Sequence, residues 1–144
     1  RGRKVYGGGG ITPDIYINID SIELSSGLLK AYNDAKFEHS AIDILDRVST
    51  DGIVKQYPTF KAFNDKFTLS NELKEIFYHN TGIEAEMLSD IDSEFIEAML
   101  LALIAEPIYG DYARHYIYGI RFDYMMRRAI AIANDEELIR NTLL

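Results

Sequence analysis

Apolar residues recur along this chain mostly at helical spacing. Between residues 24 and 48, Leu28, Leu29, Tyr32, Phe37, Ile42, Leu45 and Val48 follow steps that suit a helix broken near its middle, with Asp51-Gly52 closing the run. Pro58 fits a first helical turn, and Phe60, Phe63 and Phe67 behind it predict a short aromatic-faced helix. Ser70 can cap the next helix, which Gly82 should end. Ser89 and Asp92 form the Ser-x-x-Asp pattern of a capping box, and the apolar run behind them predicts a helix to Glu106, where Pro107 and Gly110 break it. A further helix over residues 111–133 follows, with Asn134 and Glu137 as the cap signal of a last one. The expected fold is therefore mainly α, five or six helices in all. Ahead of them, "RKVY" at residues 3–6 and "DIYINI" at residues 14–19 carry β-branched and aromatic residues in partial alternation. With four glycines and Pro13 between them, they predict two short strands or extended segments.

Charge sharpens the picture in the second half. Residues 84–111 hold eight acids and no Lys or Arg, whereas residues 112–133 hold Arg114, Arg121, Arg127 and Arg128 against the single acid Asp123. Opposite charge on neighbouring helices joined by "PIYGD" predicts an antiparallel helical hairpin. Its seam should set Phe95, Met99 and Leu103 against Tyr116, Ile120 and Tyr124.

Composition narrows the classes of function. The 144 residues suffice for one domain, and 47% apolar with 12% aromatic residues is too hydrophobic for disorder. A formal charge of −8 disfavours extended contact with phosphate backbones, so nucleic acid is not expected as a partner. The absence of cysteine excludes disulfides, thiolate metal sites and a cysteine nucleophile. The most apolar run, residues 95–105, contains Glu97 and falls well short of the ~20 residues that cross a bilayer, which makes it a core helix. The chain opens on Arg1 without Met or a signal-peptide pattern, and is expected to be a piece of a longer protein.

Each candidate for chemistry has a plainer competitor. A phosphate loop needs a Lys and a helix start after its glycines; here Gly7 to Gly10 lead into "ITPD", where Pro13 and Asp14 replace both. Backbone freedom or close backbone approach is the better reading of the glycines, and a nucleotide-binding loop the weaker one. Asp90, Asp92 and Glu94 resemble the start of a calcium loop but lack its glycine and its closing Glu, which leaves a solvated helix start. His39 with Asp43, and Asp111 with His115, are each one helical turn apart and would supply only half a metal site. Ser25-Ser26-Gly27 has no nucleophile elbow and reads as a helix cap. The band Tyr109, Tyr112, Tyr116, Tyr118, Phe122 and Tyr124 reads as core or interface before ligand cage. No catalytic, cofactor-binding or metal-binding residue is assigned, and no cofactor is expected.

The stretch "GRKVYGGGGITPDIYI" resembles the carboxyl-terminal processing, or tail-specific, serine peptidases, whose catalytic domain ends in Gly-Arg-x-Ile/Val-x-Gly-x-Gly-Ile-x-Pro-Asp. Gly2, Arg3, Val5, Gly8, Gly10, Ile11, Pro13 and Asp14 match that pattern. More loosely, "DYMMRRAIAIA" at residues 123–133 resembles the family's closing helix. The resemblance implies that residues 1–20 are the end of a peptidase catalytic domain and residues 21–144 a helical C-terminal domain. It implies a parent serine endopeptidase in which a neutral lysine activates a serine and an oxyanion hole stabilises the intermediate. Both dyad members precede the glycine motif in the family, and no Lys at 4, 30, 36, 55, 61, 66 or 74 lies between glycines as the family's does. This chain alone is therefore expected to be inactive. The resemblance also implies a bacterial protein of the periplasm or cell envelope. Its substrates would be polypeptides with exposed C-terminal tails, and the helical region would act as scaffold, substrate-access or assembly element, with self-association. The rival is a stand-alone helical module that binds a protein partner through its tyrosine-rich face.

Overall fold

The computed structural model describes residues 23–143. The extended segments expected at residues 3–6 and 14–19, and the glycine run between them, lie outside the described residues. Among the described residues the chain forms nine α-helices: α1 Ser26–Asn33, α2 Lys36–Val48, α3 Thr50–Gln56, α4 Phe60–Lys66, α5 Asn71–Thr81, α6 Asp90–Tyr109, α7 Asp111–Arg121, α8 Tyr124–Ala133 and α9 Glu136–Leu143. A single 3-10 turn, Ala85–Met87, precedes α6.

The class is mainly α as expected, but nine helices replace five or six because the chain turns where its apolar periodicity runs on. Ala35 takes a left-handed φ of 55° between α1 and α2. Ser49, at φ 65°, both ends α2 and caps α3, so Asp51 and Gly52 lie inside a helix instead of closing one. Asp51 then sits in a first turn, where the helix dipole favours an acid. Pro58 stands outside α4, whose cap is Thr59, its hydroxyl accepting from Ala62 N at 3.2 Å. The helix expected over residues 111–133 stops at Phe122, and Asp123 starts α8 by accepting from Met126 N at 3.0 Å. Asp135, not Asn134, caps α9 through Leu138 N at 2.9 Å.

Other starts and stops fall where the residues indicate. Ser70 caps α5, Gly82 ends it at φ 71°, and Ser89 with Asp92 closes a full capping box on α6. Helix α6 does not end at Glu106. It passes through Pro107 to Tyr109, a residue whose hydroxyl donates to the Tyr57 carbonyl. Buried Leu103, Ile104 and Ala105 anchor the preceding turn, which offsets the ring's steric cost. Gly110 makes the corner at φ 89° and ψ 171°, a region essentially closed to other residues.

Helix α6 is the hub. It packs most extensively on α7, then on α2, with α4 at its C-terminal half. Ile96, Leu100, Leu101, Ala102, Ile104 and Ala105 point to different sides of the helix and are all buried, as expected of a helix enclosed by others. Helix α2 contributes Phe37, Ala41 and Ile44, and α5 contributes Leu73 and Phe77, a pair of helices that also contact one another. No helix among the described residues is long and apolar enough to cross a membrane.

The acidic and basic helices do form the predicted hairpin, α6 on α7, and Arg114 bonds Glu106 at 3.0 Å across its corner. The seam is only half as expected. Phe95, Met99 and Leu103 are buried, but on the facing helix Ala113 and Ile117 are buried, with Phe122 just beyond it. Tyr116, Ile120 and Tyr124 lie on the exposed side. The apolar stripe of α7 is wide enough to fit either way, and α6 takes the face that carries Ala113 and Ile117. Leu103→Ala is expected to cost about 2–3 kcal/mol, the lower part of the range for buried leucine, since Leu103 lies at the edge of the core. Urea unfolding followed by circular dichroism checks it, and an unchanged midpoint would place Leu103 outside the seam.

Candidate functional site

The one buried acid among the described residues is Asp92, which is 3% exposed. Its Oδ2 accepts from the Ser89 N–H at 3.2 Å and the Ser89 hydroxyl at 2.9 Å, while Oδ1 accepts from the Ser25 N–H at 2.9 Å. Burial pushes this carboxyl upward, but the Ser25 and Ser89 hydrogen bonds outweigh it and hold the group below the ordinary carboxylate range. One acid thus closes the start of α6 and ties it to the start of α1, 67 residues earlier. Asp92 is therefore not part of a solvated helix start, although Asp90 and Glu94 are exposed. Ser25 occupies the cap position of α1 but makes no side-chain cap bond; its contribution is the backbone donor to Asp92.

A cleft of about 680 Å³ lies along α5 and α6, floored by Ile96 and Ala98. Glu75, Glu94 and Glu97 line it, with Lys74 bonded to Glu97 at 3.1 Å. At one end Arg121 donates to the Asn64 carbonyl at 3.1 Å, satisfying a carbonyl in the last turn of α4. Its walls carry both signs of charge, the three glutamates with Lys74 and Arg121, over the nearly fully buried Ile96 and Ala98, and no nucleophile and base are paired in it.

A second groove, about 410 Å³, lies between α1, α6 and α7, with Leu24, Leu29, Tyr32, Phe95, Met99 and Tyr118 on its walls and Arg114 and His115 at its edge. Burial, with the nearby Asp123 carboxylate, raises the Tyr118 phenol above its ordinary value.

The remaining sequence candidates fall apart spatially. His39 and Asp43 share a shallow pocket, but Asp43 accepts from the Asn80 amide at 2.7 Å, and that amide also donates to the buried Ser40 hydroxyl at 3.2 Å. No ion pair joins His39 to Asp43 or Asp111 to His115, and no group of three potential metal ligands occurs among the described residues. The aromatic band divides in two. Phe122 and Tyr118 pack on Phe95, while Tyr112 and Tyr116 form an outer cluster with Phe60 at centroid distances of 5.9 and 5.5 Å.

Sequence reasoning missed the reach of Asp92 to Ser25, the Asn80 link between α2 and α5, and the Lys74–Glu97 pair. The first two had no local signal, since their partners lie 67 and 40 residues away. The architecture is that of a mainly α-helical protein. No protein-family model, curated protein or solved structure matches this chain.

Proposed function

We propose that this chain is the C-terminal helical region of a carboxyl-terminal processing serine endopeptidase, serving its parent as scaffold, substrate-access or assembly element. The observation that carries this reading is the ordered pattern Gly2, Arg3, Val5, Gly8, Gly10, Ile11, Pro13 and Asp14, which is more specific in order and spacing than a glycine run alone. The parent acts on polypeptides with exposed C-terminal tails, in the periplasm or at the cell envelope. The catalytic serine and lysine then precede Arg1, and the helical region has no part in bond cleavage.

Two experiments test this. The reading frame across the codon for Arg1 is expected to continue upstream into a segment carrying a serine and a glycine-flanked lysine, and its product to cleave peptides with apolar C-termini. A frame that starts at Arg1 removes the reading. The 144-residue chain alone is expected to leave such peptides intact when the mixture is followed by mass spectrometry. Cleavage abolished by Ser25→Ala or Ser26→Ala would overturn it.

A second reading, a stand-alone helical interaction module, draws support from α8, none of whose residues is buried. The same reading-frame determination separates the two.

A further inference from the structure

The described residues begin beside a groove. Leu24, the second of them, is a wall of the groove between α1, α6 and α7. The next residue is pinned: the Ser25 N–H, donating to Asp92 Oδ1 at 2.9 Å, sits at the first turn of α6. Asp92, Phe95 and Met99 are spaced i, i+3 and i+7 and so follow one face of that helix. The groove floor, Phe95 and Met99, therefore runs on from the point where the chain is held. Tyr118 stands across from Phe95 at a centroid distance of 6.5 Å, and Arg114 and His115, about one turn earlier on the antiparallel α7, stand further along toward Met99. The α1 wall is apolar and open, with Leu29 46% and Tyr32 43% exposed.

The residues just before Leu24 match this groove in pattern, length and charge. Counted back from Leu24 in an extended chain, every second side chain turns to the same side, which sets Ile22 and Asp20 with Leu24 and puts Ser21, Ile19, Ile17 and Ile15 on the other. From Leu24 to Asp20 such a chain spans about 13 Å, against about 10.5 Å of helix rise from Asp92 to Met99. An isoleucine thus reaches the apolar floor as an acid reaches the cationic edge. Among the described residues Arg114 bonds Glu106 through Nη1 only, and a guanidinium carries five N–H donors. We infer that residues 20–22 form a strap across this groove of their own chain, with Ile22 over Phe95 and Met99 and Asp20 at Arg114 and His115. The short tether from Ser25 gives the strap a high effective concentration that a separate partner lacks. The strap makes the entry into the helical body a fixed joint and leaves Ile15, Ile17 and Ile19 facing away from the groove. This goes beyond the function proposed above and does not depend on the peptidase parent.

The chain has no cysteine, so two introduced thiols are the only ones present. In the full chain, Asp20→Cys with His115→Cys is expected to close an internal disulfide under oxidised glutathione, followed by mass spectrometry. It should do so about tenfold or more faster than Asp20→Cys with His79→Cys, whose second site is on α5, because held thiols outpace loosely tethered ones. Both histidines are exposed, and helical circular dichroism should be unchanged in both variants. Adding Ile22→Ser to the first pair should return its rate to that of the second. Independently, Ile22→Ser should lower the thermal midpoint by about 3 °C or more, while Ile19→Ser, on the opposite side, leaves it unchanged. Equal rates for the two cysteine pairs overturn the inference. A disulfide that joins two chains also overturns it, by assigning the groove to a second copy, and a midpoint as sensitive to Ile19→Ser as to Ile22→Ser removes the register on which the strap rests.

Discussion

Phe95→Ala is expected to lower folding stability by about 3–5 kcal/mol, the range for truncating a buried phenylalanine. Phe95 is where the two halves of the helical body meet. Its ring lies 6.0 Å from Tyr32 on α1, 5.5 Å from Phe37 on α2 and 5.0 Å from Phe122 beyond α7, each in an edge-on arrangement. Removing it loses the buried area and the edge-to-face pairs together, and joins the space left behind to the groove beside it, which Phe95 and Met99 line. Because α1, α2, α6 and α7 would all need to move to close that space, relaxation recovers little of the loss. Denaturant unfolding should show a lower midpoint with an unchanged slope. A loss below about 1 kcal/mol would mean that the four elements can collapse onto the gap, and that Phe95 fills space without fixing their arrangement.

Asp92→Ala is the second large effect, about 2–4 kcal/mol, of which the lost helix cap accounts for roughly 1 and the stranded donors of Ser25 and Ser89 for the rest. Its pH dependence has a definite sign. The folded carboxyl sits below its ordinary value of 3.8, so as pH falls through that value the unfolded chain takes up a proton before the folded one does. Stability contributed by Asp92 is therefore complete above the ordinary carboxylate value and declines as pH falls toward the lowered one. Asp92→Asn keeps the shape and one acceptor oxygen but cannot titrate. It should cost less than alanine at neutral pH, and the stability gap between it and the original protein should narrow under acid. A gap constant from neutral pH to below pH ~3 would show that the carboxylate is no better bonded in the folded chain than in the unfolded one.

Both effects depend on contacts that local sequence could not display. The start of α6 was legible, because a capping box is a local pattern of four residues with its own geometry. That the same Asp92 also binds the Ser25 amide was not, since a hydrogen bond across 67 residues leaves no mark on either neighbourhood. The half-correct hairpin seam has a related cause. Spacing located the stripe on α6, where the run is continuous, but α7 carries Tyr116 and Ile120 beside Ala113 and Ile117. Periodicity cannot choose between two adjoining faces that are both apolar.

What the sequence determined by itself is what short-range physics decides: the mainly α class, the break within residues 24–48, the caps at Ser70 and Ser89, the stop at Gly82, and the pairing of the acidic and basic helices. Backbone geometry, side-chain capping and apolar spacing act over a few residues, so they can be read along the chain. The tertiary structure alone decided which face of α7 is buried, that α6 continues through Pro107, and that one long helix is two, α7 and α8. Each of these depends on the free energy of fitting one helix against others, and that free energy belongs to neither segment taken alone.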